Sequence, residues 1–457
     1  MSEIIAETES VCPLCLQRLA AVHIREGNDI YLEKTCPVHG TFSTVVWRGM
    51  PDFTQWRRPK TPSFPETPIT QIEKGCPYDC GLCPEHRQHT CSVLLEITQR
   101  CDLHCPVCFA DSENGQNTDW SPEEVHTWLE RLIALGGPFN LQFSGGEPCM
   151  RDDLPQLIGI AKQLGFETIQ VNSNGLRIAR DSGYVSALKQ AGLSTVFLQF
   201  DGTKDEIYRK IRGRRLLAEK LAAIEQCEKN GIAVILVPTL IPGINTENIG
   251  EMILLGLNHM PTVRGIHFQP VSYFGRYPQS PSNSNRLTLP ELMNAIERQT
   301  AGRMKVEHFT PPGCENAVCS FHGNFVLMPE GRLLATGKYN AAACRCDPIP
   351  AAKGAAQARA FVARNWSARV EKIIEVAPSN QPSFGEWDIF LARKRTHMFC
   401  VSAMAFQDAW TLDLNRLRDC CIHVASRDGR LIPFCAYNLT AQNGESIYRG
   451  QDVAHAA

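Results

Sequence analysis

No run of apolar residues in this 457-residue chain approaches the roughly 18 that crossing a bilayer requires. Neither sign of charge prevails: 46 Lys and Arg stand against 48 Asp and Glu, a formal net charge of −2. That balance removes any electrostatic case for nucleic acid or an anionic membrane surface as partner. The opening residues, Met1-Ser2-Glu3-Ile4-Ile5-Ala6-Glu7, are acidic and lack the basic-then-apolar pattern of a signal peptide. The expectation is a cytoplasmic protein without a transmembrane segment. Its length exceeds what one compact core holds and predicts two or three domains.

What the chain has in excess is cysteine: twenty residues, where a reducing cytosol does not favour structural disulfides. Cys12, Cys15 and Cys36 form one group, and Cys76, Cys80, Cys83 and Cys91 a second. Cys101, Cys105 and Cys108 are a third, and a dispersed set begins at Cys314. Separations of two to four residues are metal-binding arithmetic rather than a disulfide framework. Cys149 and Cys227 stand alone and are expected to be small buried hydrophobes.

The most informative stretch is Cys101-Asp102-Leu103-His104-Cys105-Pro106-Val107-Cys108-Phe109, directly after the apolar run Val93-Leu94-Leu95-Glu96-Ile97-Thr98. Three thiolates on a short loop can hold three irons of a 4Fe–4S cubane and leave the fourth open to a small molecule, whereas four-cysteine sites are closed. Cys76, Cys80 and Cys83 repeat the C-x3-C-x2-C spacing, so context has to decide. A loop at the C-terminal end of a strand is where barrel active sites sit. The 76–83 group instead follows a linker broken by Pro51, Pro59, Pro62, Pro65 and Pro68, and has Cys91 at hand as a fourth ligand. The first group is therefore expected to be open and catalytic, the second closed and auxiliary.

Cys12-x2-Cys15 and Cys36-x2-His39 fit a tetrahedral Cys3His site for zinc or a single iron. With no basic cluster around it, a structural role is expected. Cys314, Cys319, Cys435 and one of Cys420 or Cys421 are expected to form a third cluster. Cys344, Cys346 and Cys400 are left unassigned.

Residues 1–50 thus read as a Cys/His ribbon, and 51–91 as linker plus auxiliary cluster. From 92 to 275, strand-like runs at 93–98, 139–143, 167–172, 194–200, 232–240 and 263–268 alternate with amphipathic segments at 122–135, 153–164, 182–190, 204–229 and 246–258. Ser121-Pro122-Glu123-Glu124 and Thr288-Leu289-Pro290-Glu291 read as capping boxes. Six strands alternating with helices predict an α/β fold with a parallel βα barrel. Residues 276–457, irregular and rich in cysteine, read as a separate metal-binding C-terminal domain.

One βα unit beyond the three-cysteine loop comes Ser144-Gly145-Gly146-Glu147-Pro148. The two motifs in that order resemble the radical S-adenosylmethionine superfamily. The resemblance implies a partial (β/α)6 TIM-type barrel, in agreement with the strand count. It also implies that Gly145, Gly146 and Glu147 receive the amino group of S-adenosylmethionine: glycines permit close backbone approach and a carboxylate pairs with an ammonium. Phe109 matches the aromatic residue packed near the adenine. Asn172, Asn174, Gln199, Asp201 and Arg212 fall where the superfamily places cofactor contacts, although Asn and Asp also favour ordinary turns.

The ordered set is ribbon, four-cysteine group, open loop, barrel, and a terminal Cys420-Cys421-Ile422-His423 with Pro433-Phe434-Cys435-Ala436-Tyr437-Asn438. It resembles the class D radical S-adenosylmethionine methyltransferases and the related archaeal tetraether lipid synthases, over nearly the whole chain. The resemblance implies one cluster that binds S-adenosylmethionine, two auxiliary 4Fe–4S clusters, and an external one-electron reductant. The reaction it implies is hydrogen-atom abstraction by a 5′-deoxyadenosyl radical followed by carbon–carbon bond formation. That is methylation of a small molecule from a methylene-folate-type donor in one branch, and joining of lipid chains in the other. A radical oxidoreductase or peptide-maturing enzyme is a second reading. A non-catalytic iron–sulfur electron carrier is a third, opposed by the open loop and Gly145-Gly146-Glu147.

Overall fold

The computed structural model describes residues 2–112, 119–277, 280–339, 348–367 and 385–450; Cys344 and Cys346 lie outside them. Alternating exposed and buried residues build a four-stranded antiparallel meander from β1 (Ser2–Val11), β2 (Arg18–Glu26), β3 (Asp29–Cys36) and β4 (Gly40–Trp47). The meander is stapled to the rest of the chain through Lys34, only 2% exposed, whose ammonium donates to Ser10 Oγ, Ala409 O and Trp410 O. Burial lowers this lysine to about 7. The linker holds a two-residue strand, β5 (Lys60–Thr61).

The central sheet starts with β6 (Ser92–Thr98), β7 (Asn140–Gly145), β8 (Ile169–Ser173), β9 (Thr195–Gln199), β10 (Ala233–Val237), the short β11 (Thr239–Leu240) and β12 (Val263–Pro270). Consecutive strands pair in parallel. Most are buried along nearly their whole length, the pattern of a parallel sheet covered by helices. The covering helices are α1 (Pro122–Ala134), α2 (Leu154–Gln163), α3 (Leu176–Arg180), α4 (Ser182–Ala191), α5 (Asp205–Arg212), α6 (Leu217–Lys229) and α7 (Ile249–Asn258). Both capping boxes are present, at α1 and at α8 (Leu289–Gln299). The single helix expected over 204–229 is two, because Gly213 at φ +81 ends α5 in the left-handed conformation.

The remaining elements are β13 (Ser320–Leu327), β14 (Leu333–Ala335), β15 (Ile349–Pro350), α9 (Ala351–Asn365), α10 (Glu386–Thr396), β16 (Met398–Met404), α11 (Leu414–Arg418), β17 (Ile422–Ala425), β18 (Leu431–Pro433) and α12 (Phe434–Tyr437). They correct the expected boundary near 275. Strand β16 pairs in parallel with β12 at one edge of the six-strand core, and β17 pairs in parallel with β6 at the other. The order is β14-β13-β16-β12-β10-β9-β8-β7-β6-β17-β18. An open barrel leaves unpaired backbone groups at both edges, and this segment supplies the strands that satisfy them. It is part of the barrel sheet, not a body beside it. No helix among the described residues is long and apolar enough to cross a membrane.

Candidate functional site

The 101–108 loop leaves the C-terminal end of β6 and is held by its carbonyls. Arg276 Nε donates to Cys105 O at 3.1 Å, Arg212 donates to Val107 O at 3.1 Å, and Cys108 exchanges backbone bonds of 2.9 and 3.0 Å with Arg276. Cys105 is buried; Cys101 and Cys108 are half-buried. Burial pushes the Cys101 thiol up to about 12 and raises Cys105 as well. Three soft donors on one short loop suit a cationic centre.

Gly145 and Gly146 cross the end of β6 and the residues that lead into this loop at close range. A Cβ on Gly145 would stand 2.0 Å from Thr98 O, and one on Gly146 2.2 Å from Arg100 O. The backbone bonds Gly146 N–H to Thr98 O (2.9 Å) and Glu147 N–H to Arg100 O (2.8 Å) lock the two loops together. The Glu147 carboxylate differs from expectation. It is 2% exposed and already accepts from Cys149 N (2.9 Å), Ser173 Oγ (2.8 Å) and Asn174 N (2.6 Å). Three of its roughly four acceptor positions are occupied, which ties it to the β8 loop, and it also lines the cavity.

The other expected contacts divide in two. Asn172 Nδ2 donates to Ser144 Oγ at 3.3 Å, while its Oδ1 is buried without a hydrogen-bond partner on the cavity wall. Gln199 also lines the cavity. Phe109, 37% exposed, packs 5.8 Å from Phe434 at the rim. Asn174 lines the cavity too and is held by a scaffold bond, whereas Asp201 lies behind the wall. Asn174 donates to Asp102 Oδ1 at 2.6 Å, and Asp201 takes two bonds from Arg212 at 2.7 and 2.8 Å with neither side chain more than 6% exposed. Arg212 is thus a tether between that buried carboxylate and the loop.

Two participants were not anticipated. Lys220 is fully buried, donates to Asn174 O and Gln199 Oε1, and is lowered by burial to about 8. Its signal was available: it shares a helical stripe with Ala223, Ile224 and Cys227. Arg449 bonds both oxygens of the buried Glu96 (2.9 and 2.7 Å) and Asn438 Oδ1 (2.6 Å), closing the terminal motif over β6. Nothing local announces a contact 353 residues long.

The cysteines regroup. Cys12, Cys15, Cys36 and His39 bring their ligand atoms within 4.8 Å of one another, as expected. Against burial, which raises it, the backbone N–H groups of Val38 and His39 pull the Cys36 thiol down to about 6. Cys91, by contrast, does not stand as the fourth member of the Cys76, Cys80 and Cys83 group. It joins Cys314 and Cys421 within the same 4.8 Å limit, its sulfur 3.3 Å from that of Cys421. Cys420, half-buried, lies near Cys319 and the buried Cys435 and also near Cys91. Of the expected third cluster, Cys314 and Cys421 meet within that limit, with Cys91 as the third member. Cys149 and Cys227 are buried, as is Cys400 on β16.

One cavity of about 680 Å³ is lined by Cys101, Cys105, Cys108, Gly145, Gly146, Asn172, Gln199 and Arg212, and also by Cys91, Cys314 and Cys421. A β/α sheet with a three-thiolate loop, a double-glycine crossing and a cavity at its strand ends defines an enzyme of the radical S-adenosylmethionine class. Residues 95–256 match that superfamily, residues 4–48 match the HMPTM N-terminal zinc ribbon domain, and the chain belongs to the radical S-adenosylmethionine superfamily. Membership implies a 4Fe–4S cluster and S-adenosylmethionine. The chain is 34% identical to the 7,8-dihydro-6-hydroxymethylpterin dimethyltransferase of Methanocaldococcus jannaschii, covering 94% of this chain and 93% of the relative. It is 32% identical to the Fe-coproporphyrin III synthase of Methanosarcina barkeri over 45% of this chain and 49% of that one. Among solved structures, SuiB of Streptococcus suis shares 16% identity with a TM-score of 0.40, covering 47% of this chain and 46% of that one.

Two expectations follow. Chelating the ribbon metal releases about one ion per chain and strips hydrogen-exchange protection from residues 2–47, because such sites couple binding to folding. Protection that survives chelation counts against a structural metal there. Glu147→Ala leaves three buried donors without an acceptor and frees the β8 loop. Affinity for S-adenosylmethionine falls at least about tenfold while cluster iron is retained. An unchanged equilibrium titration rejects this role.

Proposed function

We propose that the chain is a radical S-adenosylmethionine methyltransferase that forms carbon–carbon bonds on a small nitrogen heterocycle of the reduced-pterin kind. The one-carbon unit comes from a methylene-folate-type donor and electrons from an external one-electron reductant. Cys101, Cys105 and Cys108 hold the cluster. With S-adenosylmethionine bound, that cluster supplies a primary carbon radical able to take a hydrogen atom from carbon. The chain's own residues do the rest: the glycine crossing and Asn172 orient the cofactor, the Arg212–Asp201 pair keeps the loop in place, and the covered sheet excludes water.

The observation that carries this reading is the character of the cavity wall. Phe197, Phe361 and Trp366 offer aromatic faces, while Gln142, Asn172 and Gln269 offer amide edges. Burial holds His267 and His322 on the same wall at about 4, so both are neutral at ordinary pH. A flat, uncharged ring with amide-like edges suits such a wall, and about 680 Å³ lies within the usual range for small-ligand pockets. Lipid tails need no amide edges. The full-length similarity to a pterin dimethyltransferase supports the same substrate class.

Isotope tracing in anaerobic turnover with 7,8-dihydro-6-hydroxymethylpterin tests it. Label entering the product from a methylene-folate carbon, with 5′-deoxyadenosine formed, is the expected result. Label from the S-adenosylmethionine methyl group, or 5′-deoxyadenosine with no new carbon–carbon bond, rejects it.

A further inference from the structure

We infer that His267 and Gln269 are specificity-determining residues of the cavity, and that together they hold the amide edge of the substrate ring, an N–H beside a C=O. This deepens the function proposed above and rests on the cavity being the chamber for a reduced-pterin-type ring. The two side chains share a face because strand residues two apart point the same way, and both line the cavity.

Sheet register extends that face sideways. His267 on β12 stands opposite Ser402 on β16, and Ser402 stands opposite His322 on β13. A row of three polar side chains thus crosses three strands, all of them on the cavity wall. His267 Nδ1 and Ser402 Oγ share a hydrogen bond of 2.9 Å, and the imidazole lies 6.1 Å from the Trp366 ring. Ser402 therefore fixes the orientation of the imidazole through one nitrogen and leaves Nε2, on the other side of the ring, for a ligand. A neutral imidazole carries one donor and one acceptor, and burial keeps this one neutral.

Trp366 marks the end of the cavity away from the cysteine loop. Its carbonyl accepts from Thr195 Oγ1 at 2.8 Å, and the Asn365 carbonyl accepts from Arg264 Nε at 3.2 Å. Thr195 and Arg264 lie at the starts of β9 and β12, whereas the 101–108 loop leaves the C-terminal end of the sheet. His267 stands three residues beyond Arg264, roughly 10 Å along the strand, and Gln269 is roughly 7 Å further toward the open end. A flat ring seated between Trp366 and the loop meets both side chains with one edge. The primary amide of Gln269 presents C=O and NH2 side by side, the complement of a ring N–H and C=O through two parallel hydrogen bonds. His267 takes the next polar atom of the ring. A site built around such bonds rejects a ligand that cannot make them, because its own buried groups are then left unpaired.

The test is equilibrium titration of the full chain, anaerobically reconstituted and with S-adenosylmethionine present. The probes are 7,8-dihydro-6-hydroxymethylpterin and its N3-methyl derivative, in which the donor of the amide edge is blocked. The wild-type chain should bind the derivative at least about tenfold more weakly. Gln269→Met, similar in length and without a hydrogen-bonding amide, should weaken the parent pterin about tenfold and bring the two ligands within about twofold of each other. His267→Phe keeps an aromatic ring and should cost about fivefold. Ser402→Ala added to His267→Phe should cost nothing more, since Ser402 is a positioning residue that acts through the imidazole. Cluster iron and the urea midpoint establish that each variant is folded. Equal binding of both ligands by the wild-type chain overturns the inference without any variant, and so does full discrimination retained by a folded Gln269→Met. Methylation of the pterin alongside either result leaves the proposed function standing. A wild-type chain that binds no pterin rejects the proposed function and, with it, the inference.

Discussion

Replacing Cys105 with alanine is expected to abolish 5′-deoxyadenosine formation while the metals bound elsewhere in the chain persist. Cys105 is the most buried of the three loop cysteines, and its carbonyl is tied to Arg276. Its thiol is raised by burial, against which the neighbouring Arg212 works, so it is a donor whose charged form needs a bound cation to hold it. Removing one of three ligands leaves a cubane with two protein bonds, which does not hold it against loss in solution. The ribbon and the Cys91, Cys314 and Cys421 group do not share that ligand. Anaerobic incubation with S-adenosylmethionine and reductant, with product quantified by chromatography and metals by elemental analysis, reads both halves. Full cleavage activity in this variant removes the 101–108 loop as the radical-generating site.

The second large effect concerns the tether. Arg212→Ala leaves Asp201, 0% exposed, as a buried carboxylate without its partner. Breaking a buried ion pair from one side costs about 3–5 kcal/mol, far more than the pair itself contributes over an apolar substitute. Urea unfolding should show that loss. Arg212→Lys should recover little, because a point charge cannot make the two-pronged contact with Asp201 and also reach Val107 O. The double variant Asp201→Leu with Arg212→Met should regain much of the stability yet not the S-adenosylmethionine cleavage, since the loop stays untethered. A loss below about 1 kcal/mol in Arg212→Ala contradicts the role given to the pair.

Local pattern made much of this molecule legible. The six central strands lie within a few residues of the apolar runs at 93–98 through 263–268, because strands buried on both faces are written as continuous hydrophobic stretches. The two capping boxes stand where Ser121 and Thr288 announced them. Spacing also grouped Cys12, Cys15, Cys36 and His39, whose contacts are made inside one hairpin meander. Lys220 was readable and missed, a charge written into an apolar helical stripe.

The sequence by itself determined the elements that close over short distances: strands, caps, the ribbon and the paired loops of cysteine and glycine. Only the tertiary structure decided which distant groups meet. Cys91 belongs with Cys421 because β17 zips onto β6 in one particular register, across 330 residues of chain that spacing cannot see. Glu147 has its carboxylate turned toward the β8 loop, where Ser173 Oγ and Asn174 N donate to it, and a motif names the residue without saying which way its oxygens point. The C-terminal third looked separate because its strands are short and interrupted. They fold as the two margins of the barrel sheet because an open sheet edge is a row of unpaired backbone groups, and that demand appears only once the sheet exists.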